Sequence, residues 1–244
     1  MNINTKVKIF VKDFFPQLSY KYLGYKNPHY IQRVKVINHL GINVFFDIGA
    51  NIGHYAHSLR NFGYKGKIVS FEPMNAEFQV LTNRAVSDEN WLTCNYGFGN
   101  SDEELDINIS KNSVSSSLLK VNSELTEIVP ETAYIGTEKV KIYKIDSIID
   151  DFIDEKSKLF IKIDAQGYES EIIKGATNSL NKIIGFKLEL PFFELYNTEK
   201  TFLELVNFMD SIGFRLIYIE PGWNNPITGF SIEADGIFVK KEIL

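Results

Sequence analysis

Four apolar runs in this 244-residue chain each end in a carboxylate: Val44-Phe45-Phe46 in Asp47, Ile68-Val69-Ser70-Phe71 in Glu72, Phe160-Ile161-Lys162-Ile163 in Asp164, and Phe186-Lys187-Leu188 in Glu189. A carboxylate accepts hydrogen bonds from hydroxyls, pairs with ammonium groups and takes up protons, so converging acids could fix a polar ligand or act as general bases. The first acid opens the spacing Asp47-x-Gly49-x-x-x-Gly53, a glycine-punctuated turn from a buried strand into a helix. Such a turn offers free backbone N–H groups and a positive helix end. It is not the Gly-x-Gly-x-x-Gly of dinucleotide binders. An acid in the turn is awkward for a pyrophosphate and suits a nucleoside with a cationic amino-acid head. Glu72, followed by Pro73 and 25 residues after Asp47, is placed to accept both hydroxyls of a ribose.

The acids can converge only if strands and helices alternate, and the hydrophobic pattern says that they do. Strands are expected at 43–48, 67–72, 91–97, 159–164 and 184–190, with helices at about 53–62, 75–86, 168–181 and 199–212. Strands at about 214–219 and 235–240 close the chain as an antiparallel edge hairpin. Continuous apolar strands between helices predict a Rossmann-like, doubly wound α/β fold with a mostly parallel seven-stranded sheet. Ligands in such sheets bind beyond the carboxyl ends of the strands, where the four acids sit.

Two regions break the alternation. Residues 100–145 carry period-two segments, 105–109 and 140–143, around the serines 113 and 115–117, and read as a β insertion with a long loop that is either a lid or a plain polar connection. Residues 1–42 form a lead-in of two helices around the turn at 25–29, ahead of a main domain at 43–244. The aromatics there (Phe10, Phe14, Phe15, Tyr20, Tyr22, Tyr25 and Tyr30) serve core packing, a substrate lid or a dimer face, so a homo-oligomer stays open.

Composition sets the outer limits. Apolar residues are 44% and charged residues 23%, and the chain can bury one sizeable core. The net charge of −5 argues against a nucleic-acid partner. The single cysteine, Cys94, forbids an internal disulfide and reads as a small buried hydrophobe. With no targeting segment, and no stretch of roughly 18 apolar residues that could span a bilayer, the expected location is the cytoplasm.

The motifs Phe46-Asp47-Ile48-Gly49-Ala50-Asn51-Ile52-Gly53, Ser70-Phe71-Glu72-Pro73 and Ile161-Lys162-Ile163-Asp164-Ala165-Gln166-Gly167-Tyr168-Glu169 resemble those of the FkbM family of S-adenosylmethionine (SAM)-dependent methyltransferases. Weaker matches run to Asp235-Gly236-Ile237-Phe238-Val239, so the resemblance covers about 44–240, although His54 stands where Gln is often found. It implies O-methylation of a hydroxyl on a sugar of a surface glycan or glycosylated metabolite. A non-sugar natural product is the main rival acceptor, and a SAM-binding module without turnover is the non-enzymatic reading. By the same resemblance Gly49, Ala50, Asn51 and Gly53 line the methionine part of SAM, Asp47 holds its amino group directly or through water, and Glu72-Pro73 takes the ribose. The adenine falls near 96–102, with Asp102 as acceptor for its amine.

A sugar hydroxyl holds its proton far above neutral pH, so a base must take the proton as the new bond forms. Asp164 is the first candidate, Glu189 the second or an orienting group, and His54 the third. No residue is assigned as a metal ligand. A divalent-metal variant nonetheless stays open, because Asp164, Glu189 and Asp235 are hard oxygen donors. Lys162, inside a buried strand, must snorkel or pair, and Trp223 could stack on a sugar or anchor its loop.

Overall fold

The structure, a computed structural model, describes residues 28–225 and 227–244. Most of the aromatic lead-in, and with it the expected pair of helices around the turn at 25–29, therefore lies outside the described residues; the described part forms one helix, α1 (Pro28–Leu40).

Strands β1 (Val44–Ile48), β2 (Lys67–Phe71), β3 (Trp91–Cys94), β7 (Leu159–Ile163), β8 (Ile183–Pro191), β9 (Phe214–Pro221) and β10 (Glu233–Lys240) form a seven-stranded sheet in the order β3-β2-β1-β7-β8-β10-β9. All five residues of β1 and of β7 are buried, which explains why these runs are apolar on both faces and lie at the centre. Six of the seven strands run in one direction, and β10 alone is antiparallel to both of its neighbours. The antiparallel strand expected at the edge is β10, but it is inserted one place in, between β8 and β9. There its Ile237-Phe238-Val239 run is covered on both sides, while β9, with alternating exposure, takes the edge.

Helices α1, α2 (His54–Asn61) and α3 (Asn75–Ala85) pack on one face around Ile37, Leu59, Leu81, Phe45, Phe160 and Ile237. Helices α5 (Ile145–Ile148), α6 (Glu169–Lys174) and α7 (Phe202–Ser211) cover the other around Phe46, Phe71, Ile161, Ile173, Leu205 and Met209. Among the described residues, no helix is long and apolar enough to cross a membrane. Helix α6 is shorter than the 168–181 expected. It ends at Gly175, where a Cβ would stand 2.0 Å from the Gly99 carbonyl, so two backbones meet.

The strand expected at 91–97 divides. Asn95 leaves the sheet with its amide donating to the carbonyls of Glu72 and Pro73, each at 3.0 Å, and β4 (Gly97–Phe98) then starts a second sheet. In that sheet β6 (Tyr134–Tyr143) pairs parallel with β4 and antiparallel with β5 (Glu103–Ser110), with the short helix α4 (Ser123–Ile128) in the connection. Ile107, Val140 and Ile142 pack on Met74, which seats the insertion over the carboxyl ends of β1 and β2.

Candidate active site

β1 and β7 are adjacent but followed by helices on opposite faces, so the sheet opens between them at its carboxyl end. Gly49 begins the turn after β1 with φ +68°, and a Cβ there would stand 1.8 Å from the Asp164 carbonyl oxygen. Only glycine lets the turns after β1 and β7 touch. Gly53, φ +79°, similarly lets α2 start against Leu81 and Trp91. Four non-glycine described residues have positive φ, and three of them, Asn51, Ser113 and Gln166, line one cleft. Strain of this kind gathers at sites where surroundings fix the backbone for a ligand.

That cleft holds about 720 Å³ of empty space. Its walls combine the β1 turn (Ile48, Gly49, Asn51), the β2 end (Glu72, Pro73, Met74), apolar residues of the second sheet (Phe98, Ile107, Ile142), and Asp164 through Gln166 from β7. Glu72 is the buried acid here: one oxygen accepts from the Asn51 N–H at 2.8 Å, the other from the Met74 N–H at 2.9 Å. Burial pushes its carboxyl up to about 7 despite those two donors.

A second cavity, of about 740 Å³, adjoins the first. Asn112, Leu125, Tyr196, Trp223 and Glu233 form its walls together with Glu189, and it shares Val114, Asp164 and Gln166 with the cleft. Gln166 organises this partition. Its Nε2 donates to Asp164 Oδ1 and to Glu189 Oε2, both at 2.9 Å, and its Oε1 accepts from Tyr196 Oη at 2.6 Å. The serine segment is the roof: Ser117 Oγ donates to the Gln166 carbonyl at 2.6 Å, and Asn51 Nδ2 donates to Ser113 Oγ at 3.3 Å.

The two acids that Gln166 holds diverge electrostatically. Burial raises Asp164, but Lys162, the Gln166 amide and Lys187 outweigh it, and the carboxyl stays below the ordinary range. Glu189 is driven well above its ordinary value, by burial first and then by Asp164, Glu233 and Asp235. Two carboxyls with opposite tendencies beside one cavity can divide the work of base and hydrogen-bond donor.

The expected site residues separate on this geometry. Gly49, Asn51, Glu72, Pro73 and Asp164 line the cleft; Glu189 lines the second cavity and not the cleft. Ala50 and Gly53 shape the turn without reaching the cleft wall. Asp47 is fully buried behind it, accepting from Ser70 Oγ at 3.2 Å and pairing with Lys162 Nζ at 3.2 Å, because β1 places it in register between those residues. Asp102 is also off the wall: its carboxylate accepts from the Lys144 N–H and the Ser147 hydroxyl, capping α5. His54 is exposed on α2 against Arg84, away from both cavities. Asp235 is drawn to Lys187, and among the described residues no three His, Cys, Asp or Glu side chains gather as a metal-binding group. Gln166, Tyr196 and Glu233 had no place in the expected site. Gln166 stands within the motif from Asp164 to Glu169, and Tyr196 with Glu189 is among the weaker family matches, but neither carries an expected role; Glu233 has no signal.

The family model described as the methyltransferase FkbM domain matches residues 47–216, most of the chain. The protein belongs to the FkbM family of methyltransferases, and SAM is its cofactor. No curated protein matches the sequence. Solved structures resemble it in fold. They include TehB from Haemophilus influenzae (11% identity, 92% of this chain and 66% of that one, TM-score 0.48) and Methanococcus jannaschii fibrillarin, a pre-rRNA processing protein (11%, 82% and 67%, 0.48). TrmK from M. capricolum, bound to S-adenosylhomocysteine, is a third (9%, 84% and 67%, 0.45).

Proposed function

We propose that the protein is an O-methyltransferase, moving a methyl group from SAM to a hydroxyl on a sugar of a surface glycan or glycosylated metabolite. The observation that carries this reading is that Asp164 and Gln166 line both cavities, so a donor in the cleft and an acceptor in the second cavity would meet at a carboxylate. The cleft suits the donor: Glu72 offers a ribose its carboxylate, the apolar second-sheet wall offers an adenine a surface, and the Gly49 cradle leaves backbone exposed where a Cβ would otherwise stand. SAM, when bound, supplies a methyl group already activated on sulfur, so the chain has to align a hydroxyl, exclude water and accept a proton.

Asp164 is the proton acceptor in this scheme. Held below the usual carboxylate range, it is ionised at neutral pH but a weak base, so the proton moves together with formation of the carbon–oxygen bond. Glu189, inclined to its neutral form, keeps Oε1 free to donate to the acceptor hydroxyl while Oε2 is held by Gln166. Tyr196 and Trp223 supply aromatic walls of the kind on which sugar faces stack. The second cavity has no lysine, arginine or histidine in its lining, which favours an uncharged acceptor over a nucleic acid.

The reading is tested by incubating the protein and labelled SAM with neutral glycosides, sugar phosphates, polyketide alcohols and RNA. Label should appear as a methyl ether on a neutral glycoside and persist with EDTA. Labelling of RNA or of a non-sugar alcohol alone would overturn the acceptor class, and SAM binding without transfer to any hydroxyl would favour a binding module.

A further inference from the structure

The charged residue within β7 is unusual. Lys162 sits in the middle of a strand buried on both faces, with its side chain only 4% exposed. A buried ammonium is costly unless its environment is built around it. Here it is surrounded: Nζ donates to the Gly49 carbonyl at 3.0 Å and the Ile48 carbonyl at 3.4 Å, and lies 3.2 Å from Asp47 Oδ1 and 3.3 Å from Asp164 Oδ2. The Tyr55 ring lies 5.5 Å away, within cation–π range. Asp47 Oδ1 has no aligned hydrogen bond, so this ammonium is the partner that offsets its charge.

We infer that Lys162 is the positioning residue of the site: one buried cation that ties Asp47, behind the glycine turn, to Asp164, in the partition between the two cavities. Its four oxygen neighbours come from the end of β1, the turn after it, and the residue after β7, the segments that frame the cleft. Asp47 therefore acts on the cleft through Lys162 rather than by touching a ligand. Lys162 itself lines neither cavity and touches no reacting atom. The inference rests on SAM binding in the cleft and not on the acceptor class, so the two can fail separately.

The test is SAM affinity by calorimetry, with thermal melting as the check on folding. Lys162→Met keeps the unbranched stem, one heavy atom shorter, without its charge; Lys162→Arg keeps the charge with a worse shape. A positioning cation predicts that Lys162→Met binds SAM about tenfold or more weakly, the worth of a charge-assisted contact, and that Lys162→Arg recovers part of the loss. A packing role predicts the reverse order. Should Lys162→Met fail to fold, the pair Asp47→Asn with Lys162→Met removes both charges together. That pair should fold and still bind SAM weakly. Wild-type affinity in the folded Lys162→Met protein or in the pair, or tighter binding by Met than by Arg, overturns the inference.

Discussion

The two cavities that meet at Asp164 are built on different principles. The cleft is made of backbone turns and apolar side chains with the buried Glu72 in its wall; its polar groups come from the contiguous turns after β1, β2 and β7 and from the serine segment, and its apolar wall mostly from the second sheet. The second cavity takes its acids and aromatics from the end of β7, from β8 and the loop after it, and from the loop before β10 and its first residue, with uncharged residues of the insertion completing the wall. A ligand common to a whole family can be held by local turns. One that differs from member to member has to be held by side chains on the variable connections.

The sharpest way to break this contrast is at the partition. Asp164→Asn keeps the shape and the Gln166 contact but removes the proposed proton acceptor, so turnover should fall roughly a hundredfold or more in a labelled-methyl assay. A near-wild-type rate would place the base elsewhere, Glu189 first. The next largest effect belongs to the donor side. Glu72→Gln should weaken SAM binding by about 1–3 kcal/mol in calorimetry. Because burial lifts the Glu72 carboxyl to about 7, and the carboxylate is the form that accepts ribose hydroxyls, wild-type affinity should drop as pH falls through about 7. Glu72→Gln should abolish that dependence. A pH-independent wild type would separate Glu72 from the ribose.

The turn after β1 was legible because its chemistry is contiguous: an acid, two glycines and a helix start within seven residues. Residues 91–97 read as one strand in sequence but divide in the structure, because Asn95 donates to the carbonyls of Glu72 and Pro73 instead of continuing the ladder, which no periodicity reveals. Asp102 was legible as an acid near the end of β3, but its capping partners, Lys144 and Ser147, lie more than forty residues away in sequence. Lys162 announced itself as a charge in an apolar strand, so a partner was foreseeable and its identity was not. Of the second cavity, Asp164 and Glu189 were visible as strand-end acids. Gln166 stands inside the motif that begins at Asp164, but its bridge to Glu189 and Tyr196, and the approach of Glu233, join segments far apart in sequence whose spacing carries no signal.

The smallest expected effect concerns stability and sharpens the same contrast. Near the second cavity, burial first of all raises Glu199 to about 8 and Glu233 to about 7, and carries Glu189 well above its ordinary value. A carboxyl whose folded value is raised stabilises the fold fully below its unfolded value, near 4.5, and loses that contribution as pH rises through the folded value. The melting temperature should therefore decline between about pH 5 and 8, by about 2–4 °C per kcal/mol lost. Glu233→Gln should reduce the slope. A melting temperature that rises over this interval would contradict the acidic environment assigned to the cavity.

The central claim is that donor and acceptor occupy separate cavities joined at Asp164. It is tested most directly by a crystal structure of the protein with S-adenosylhomocysteine. The account predicts the ribose on Glu72, the adenine against Phe98 and Ile142, and the sulfur facing the partition beside Asp164, with the second cavity left open. A nucleoside lodged among Tyr196, Trp223 and Glu233 instead, or a ribose away from Glu72, would contradict it.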